Sequence, residues 1–128
     1  MQYPDPVAVT EHLSRYVLES GKIRPSVGKL RPNAFMPARD NVLSVFRVDG
    51  LDHGSIVKLG QKYVAQPQNR TVVGYGVIRA DAFSELGLNL VPTAAPHPRH
   101  VDVVGWPDTA ASRNKAQILA EIAELVLV

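Results

Sequence analysis

The sequence predicts an α+β domain, a small and mostly antiparallel sheet with a long C-terminal helix. Three observations lead there. β-Branched and aromatic runs recur at Val42–Val48, Thr71–Ile78 and Val101–Val104, with turn-forming residues nearby. Helical stretches fall between and after them without the regular spacing of βαβ units. The chain has 128 residues, 45% of them hydrophobic and 20% charged, the length and balance of one ordinary globular domain.

Taken in order, residues 1–9 read as an extended lead. Thr10 can cap a helix to about Glu19 with Leu13, Tyr16 and Val17 on one face, and Gly21 stops it. Lys22 to Pro32 carries two prolines and no period, which predicts a loop. The strand Val42–Val48 ends at Asp49-Gly50. Asp52 caps a short helix, Ser55 to Leu59, which Gly60 closes, and Lys62 to Ala65 reads as a short strand. Within Thr71–Ile78, Gly74 and Gly76 predict a bulge or a close backbone approach. Asp81 caps a helical turn containing Ala82, Phe83 and Leu86, and Leu88 to Val91 is strand-like. After Val101–Val104, Trp106 between Gly105 and Pro107 reads as a corner whose indole N–H needs a partner. Asp108 caps the longest helix, to about Leu125, with Ala111, Ile118, Ile122 and Leu125 along one side. The apolar tail Val126-Leu127-Val128 is expected to dock on the body.

Composition excludes several classes of function. There is no cysteine, hence no disulfide, thiolate metal site or cysteine nucleophile. No apolar run is long enough to cross a bilayer, and Met1 to Pro6 lacks the basic start and apolar stretch of a signal peptide. A soluble, cytoplasmic protein without a membrane partner is expected. The formal charge of +2 is too mild to argue for nucleic acid, but it is unevenly spread. Arg15, Lys22, Arg24, Lys29 and Arg31 face one acid, Glu19, in the first part of the chain. Beyond residue 100, Arg113 and Lys115 stand against Asp102, Asp108, Glu121 and Glu124.

The densest chemistry is Pro96-His97-Pro98-Arg99-His100, with Asp102 two residues on. Histidine titrates near neutral pH and serves as acid, base or donor to phosphate. Arginine offers a planar fork matched to phosphate or carboxylate. Alternation along an extended chain separates His97 and Arg99 from His100 and Asp102. The first pair suits an anion, and the second resembles an imidazole oriented by a carboxylate. Arg47 and Arg79 stand at strand ends, where anion ligands often come from. The basic stretch from Arg15 to Arg31, Arg24, Lys29 and Arg31 above all, could track a phosphate backbone, with Tyr16, Phe35 and Phe46 near enough in sequence to stack bases. His97, His100 and Asp102, even with His12 or His53, match no zinc spacing, so no metal is expected. Gly74-Tyr75-Gly76 lacks the rest of a dinucleotide fingerprint, no phosphate-binding loop is present, and no cofactor is implied. The bland alternative is a loop that runs into a strand with Arg99 solvated and one histidine partly packed.

Four stretches together resemble a family of small, uncharacterised bacterial proteins. They are Leu13-Ser14-Arg15-Tyr16, Ala34-Phe35-Met36-Pro37, Leu43-Ser44-Val45-Phe46-Arg47, and Pro98 through His100 to Gly105-Trp106-Pro107. The resemblance spans most of the chain and brings no assigned activity. It implies that His100 carries the signal, with Arg47 and Ser44 as companions.

Three functions follow as expectations. The first is binding of an anionic ligand (a nucleotide, a nucleic-acid backbone or a phosphorylated metabolite) through Arg47, His97, Arg99, His100 and Ser44, with Arg24, Lys29 and Arg31 as an outer patch. The second is hydrolase or transferase chemistry on a phosphodiester or nucleotide, with His100 and Asp102 catalytic. The third is a protein–protein interaction module or homodimer, formed through the C-terminal segment.

Overall fold

The computed structural model describes residues 5–128. Six strands make one sheet: β1 (His12–Val17), β4 (Leu43–Arg47), β5 (Gly74–Arg79), β6 (Asn89–Pro92), β7 (His100–Val104) and β8 (Glu124–Leu127). Their order is β6-β7-β4-β1-β5-β8, and every pairing is antiparallel. Two short strands, β2 (Ile23–Arg24) and β3 (Lys29–Leu30), form a separate ladder. This is the predicted α+β architecture. The expected strands at residues 42–48, 71–78, 88–91 and 101–104 become β4, β5, β6 and β7.

The expected helix from Thr10 is instead the interior strand β1. It pairs with β5 along its whole length, from His12↔Arg79 to Val17↔Gly74. Leu13, Tyr16 and Val17 do sit at helical spacing, but they bury on two sides. Leu13 and Val17 join one hydrophobic cluster and Tyr16 the other. A strand covered on both faces shows no polar–apolar alternation, so its period is invisible in sequence. Pairing with distant strands then decides the structure.

On the first face Leu13, Val45, Ile78 and Val101 pack with Phe35, Phe83, Ala116 and Leu119. On the second, Tyr16, Phe46 and Tyr75 pack with Ile56, Leu59 and Ala65. The last three belong to a helical arm that begins with α1 (His53–Gly60). Asp52 caps it as expected, accepting from Ser55 N at 2.8 Å. The arm does not stop at Gly60. It continues through a wider turn over Gln61–Ala65, in which Gln66 N–H reaches Gln61 O, then a tight turn over Gln66–Gln68. Pro67 has no N–H to continue the regular ladder. The expected strand at Lys62–Ala65 is therefore helical. Gly60 is a packing glycine: a Cβ there would lie 2.3 Å from the Tyr16 ring.

Lys22 to Pro32, expected as a loop, contains the two-residue ladder of β2 and β3. α2 (Ala80–Glu85) precedes β6, with Asp81 inside its first turn rather than at its cap. Gly105 takes φ +89°, and the Trp106 indole donates to Val103 O at 3.0 Å, which gives the expected corner its partner. α3 (Thr109–Ile122) starts at its expected cap, Asp108, but ends short of Leu125. It buries Ser112, Ala116, Leu119 and Ala120. The expected stripe is largely outside: Ile118 is 45% and Ile122 55% exposed. Small side chains let the helix approach the sheet, and that outweighed the larger isoleucines. The tail forms β8 on β5, so it docks on its own body.

Gly60→Ala should destabilise the fold by about 2 kcal/mol through overpacking against Tyr16, although alanine ordinarily gains about 0.5–1 kcal/mol over glycine inside a helix. Gly76→Ala should cost less. Its Cβ meets the flexible end of Leu30 at 2.4 Å, which can swing away. Denaturant unfolding of the two variants measures the difference. An unchanged midpoint for Gly60→Ala would contradict this packing.

Candidate functional site: a cleft beside a split in the sheet

β1 registers with β4 at only two positions, Leu13↔Arg47 and Ser14↔Phe46. Beyond them the strands part, and the Arg15 side chain fills the gap. Its Nε donates to Ala34 O at 2.7 Å and its Nη1 to Ser44 O at 3.1 Å. Among the described residues, no carboxylate pairs with it. Arg15 is half-buried, and burial pulls its pKa down to about 10, as expected where a cation loses part of its hydration with no carboxylate beside it.

Two cavities meet at Arg15. The larger, about 280 Å³, lies between the sheet and the helical arm and is lined by Ser44, Phe46, Tyr63, Pro67, Pro96 and His100 among others. The smaller, about 110 Å³, is lined by Glu19, Lys22 and Arg70 with Arg15. Arg15, Val64 and Gln68 line both. In the small cavity Glu19 lies 3.2 Å from Arg70 and 3.9 Å from Lys22. Three cations thus face one acid. Burial, with Arg15 and Arg70 nearby, lowers the Lys22 pKa despite Glu19.

His100 is buried and its ring meets the Phe46 ring edge-on at 5.1 Å. Its Nδ1 is hydrogen-bonded to the Thr93 hydroxyl, which itself donates to Ala95 O at 2.9 Å. With the hydroxyl proton directed at Ala95 O, Nδ1 is the donor to Thr93 and Nε2 the ring's acceptor, a tautomer assigned from this network. Asp102 Oδ1 lies 3.8 Å from Nδ1. Burial lowers the His100 pKa and Asp102 only partly opposes it, so the ring is neutral at pH 7. Asp102 stands across the ladder from Ser44.

His97 accepts from Arg99 N at 3.0 Å through Nδ1 and packs edge-on against Tyr63 at 4.8 Å. Its pKa is lowered by burial first, then by Arg99 and Lys62. Arg99 does not line the cleft. Its Nη1 donates to Arg47 O and Asp49 O, both at 3.2 Å. Arg47 is on the opposite face, in register with Leu13. It is 2% exposed and holds Glu11 through two 3.0 Å bonds, Nε to Oε1 and Nη2 to Oε2. A buried pair of this kind is costly to break from one side, about 3–5 kcal/mol. Arg47 thus anchors the N-terminal lead and does not converge with His100.

The outer basic residues also lie elsewhere. Lys29 Nζ donates to Glu121 O at 2.7 Å, and Arg24 lies 3.9 Å from the Glu121 carboxylate. Both serve the C-terminal end of α3, where cations are favoured. Arg31 is exposed and Arg79 pairs with Asp81 at 2.8 Å. All three aromatics expected to stack bases are core side chains; Tyr16 borders the smaller cavity and Phe46 the larger. No group of three or more metal-ligating side chains converges among the described residues.

Sequence reasoning named His100 and Ser44 for this cleft and took Arg15 and Lys22 only as part of a basic stretch that could track a phosphate backbone; it missed Arg70, Tyr63 and Thr93 and did not join Arg15 to the cleft. Arg15 carried a usable signal, a charge between Leu13 and Val17 on one side of a strand. It was hidden by the helical reading. Compared with models of known protein families, with curated proteins and with solved structures, the chain matches none.

Both histidines have depressed folded-state pKa values, so the unfolded chain binds more protons below pH 6.5. Stability should fall as pH drops below that value and be fully retained above it. His100→Asn should flatten part of this slope in urea unfolding between pH 7 and 5. A slope of opposite sign, with stability rising on acidification through this range, would contradict the placement.

Proposed function

We propose that the protein binds a phosphate-bearing small ligand, its anionic group held by Arg15, Lys22 and Arg70. The observation that carries this reading is one cavity lined by Arg15, Lys22 and Arg70 with Glu19 as its acid, in which Arg15 has no carboxylate partner among the described residues. A bound phosphate would supply the missing charge through short, charge-assisted hydrogen bonds. Arginine's planar fork suits phosphate oxygens, and lysine adds a mobile point charge. Of the arginines expected from sequence to bind the anion, Arg47 and Arg99 already serve the fold, and Arg15 takes that role. His100 and Ser44 line the adjoining cleft as ligand-facing groups.

Titration of inorganic phosphate and pyrophosphate, followed by calorimetry at low and at raised salt, tests the reading. Affinity should fall as ionic strength rises. Lys22→Met should weaken binding about tenfold to a hundredfold, the worth of one hydrogen bond to a charged group. Arg15→Met should do the same, but it also strips Ala34 O and Ser44 O of a donor, so Lys22→Met is the cleaner variant. Absence of salt-sensitive binding to either anion would overturn the reading.

A second reading is acid–base chemistry on a phosphodiester or nucleotide by His100. It is favoured by the orientation of that ring: Nδ1 is held by Thr93 near Asp102, and Nε2 stays an acceptor in a cleft beside a cationic pocket. A neutral imidazole with one oriented nitrogen is what a general base requires. Turnover of nucleotide phosphoesters that vanishes in His100→Asn, with phosphate binding retained, is the expected result. Equal turnover in the variant would remove His100 from the chemistry.

A further inference from the structure

The two cavities differ in chemistry and are joined at Arg15. The larger is walled by an aromatic ring from the arm, Tyr63, and by two prolines, Pro67 and Pro96, with the Phe46 ring on the sheet. Tyr63 is braced by His97 packed edge-on against it and by Lys62 Nζ 5.4 Å from its ring centre. Flat, weakly polar walls suit a planar heterocycle, because every base presents a π-face to an aromatic ring. The same cavity offers the Ser44 hydroxyl and the His100 acceptor nitrogen, partners for sugar hydroxyls. The smaller cavity is cationic. At about 280 and 110 Å³, the pair together stands at the low end of small-ligand sites, ~300–1,000 Å³. That is room for one base and one phosphate group, not for a dinucleotide.

We propose that the ligand is a free nucleoside monophosphate, its base against Tyr63 in the larger cavity and its phosphate at Arg15, Lys22 and Arg70 in the smaller one. This rests on the phosphate reading above and goes further, since it assigns the second cavity and limits the ligand to a single nucleotide. Tyr63 is a specificity-determining residue in this arrangement, with no part in holding the phosphate.

The test compares four probes on the full chain by calorimetry: inorganic phosphate, ribose 5-phosphate, AMP with UMP, and short oligonucleotides with a 5′-phosphate. The mononucleotides should bind roughly tenfold or more tighter than ribose 5-phosphate, the scale of one base stacked on an aromatic ring. Tyr63→Ala should erase that gain and leave phosphate affinity unchanged, while Tyr63→Phe should keep it. Mononucleotides that bind no tighter than ribose 5-phosphate would overturn the proposal and leave the phosphate reading standing. Affinity that climbs with oligonucleotide length would also overturn it, in favour of a strand-binding surface. No salt-sensitive binding to any probe would remove both readings together.

Discussion

Arg15 sits where two neighbouring strands stop being neighbours, and the shape of the second face depends on that separation. β1 keeps its bonds to β5 for six residues and to β4 for two. A sheet that opens in its interior leaves backbone carbonyls without ladder partners, and an unsatisfied buried carbonyl costs about 1–3 kcal/mol. The guanidinium answers Ser44 O beside the gap and, with a separate N–H, Ala34 O of the turn at Pro32–Phe35 outside the sheet. Lysine could not do this with the same geometry, because its ammonium is one point and not a fork. The charge comes with the geometry. Once the split is filled by arginine, a cation is fixed beside the cleft whether or not an anion is present.

The helical arm closes the other side. Its position over the sheet is set by Gly60, where the missing Cβ admits the Tyr16 ring, and by the Tyr16 hydroxyl, which donates to Ile56 O at 2.6 Å. Burial raises the Tyr16 pKa, so that hydroxyl remains a donor. Gln61 ties the return of the chain by accepting from Val72 N at 3.1 Å and donating to Arg70 O at 3.2 Å. Arg70 is thereby carried to the rim of the small cavity, and Tyr63 and Pro67 to the wall of the large one. The aromatic wall and the cationic pocket are thus two consequences of one arm seated on one strand.

How much of this was legible in the chain depends on where each residue's partners lie. β4 and β7 could be read because their β-branched runs end at local turn signals, Asp49-Gly50 and Gly105-Trp106-Pro107. α1 and α3 could be read at their N-termini because Asp52 and Asp108 cap residues three positions on. β1 could not, since its partners are residues 46–47 and 74–79. The inner face of α3 was misjudged because hydrophobicity alone ranks Ile118 above Ala116, whereas packing on a sheet ranks them by size. The motif around His97 and His100 was divided as if the whole stretch were extended, but only His100 and Asp102 lie on the strand: residues 97–99 make a turn closed by His100 N donating to His97 O at 2.9 Å, so His97 and Arg99 do not share a face. Arg47 was grouped with them by proximity in type, yet a strand's alternation already puts residue 47 on the face opposite Ser44 and Phe46.

The contrast between Arg47 and Arg15 is why the proposed anion site is built on Arg15 and not on Arg47. Arg47 is buried and Arg15 half-buried, each on a strand of the same sheet. Arg47 has its charge balanced within the fold by Glu11, so a ligand there would have to displace an existing partner. Among the described residues Arg15 has hydrogen bonds but no carboxylate partner, and Lys22 and Arg70 add to the local repulsion. An anion entering that pocket removes a cost the folded chain already carries. Whatever binds the folded state and not the unfolded one raises stability by RT ln(1 + [L]/Kd), and relief of this repulsion contributes to that affinity. The same logic accounts for His100. With its charge suppressed by burial, it lines the cleft without adding to the repulsion among the cations.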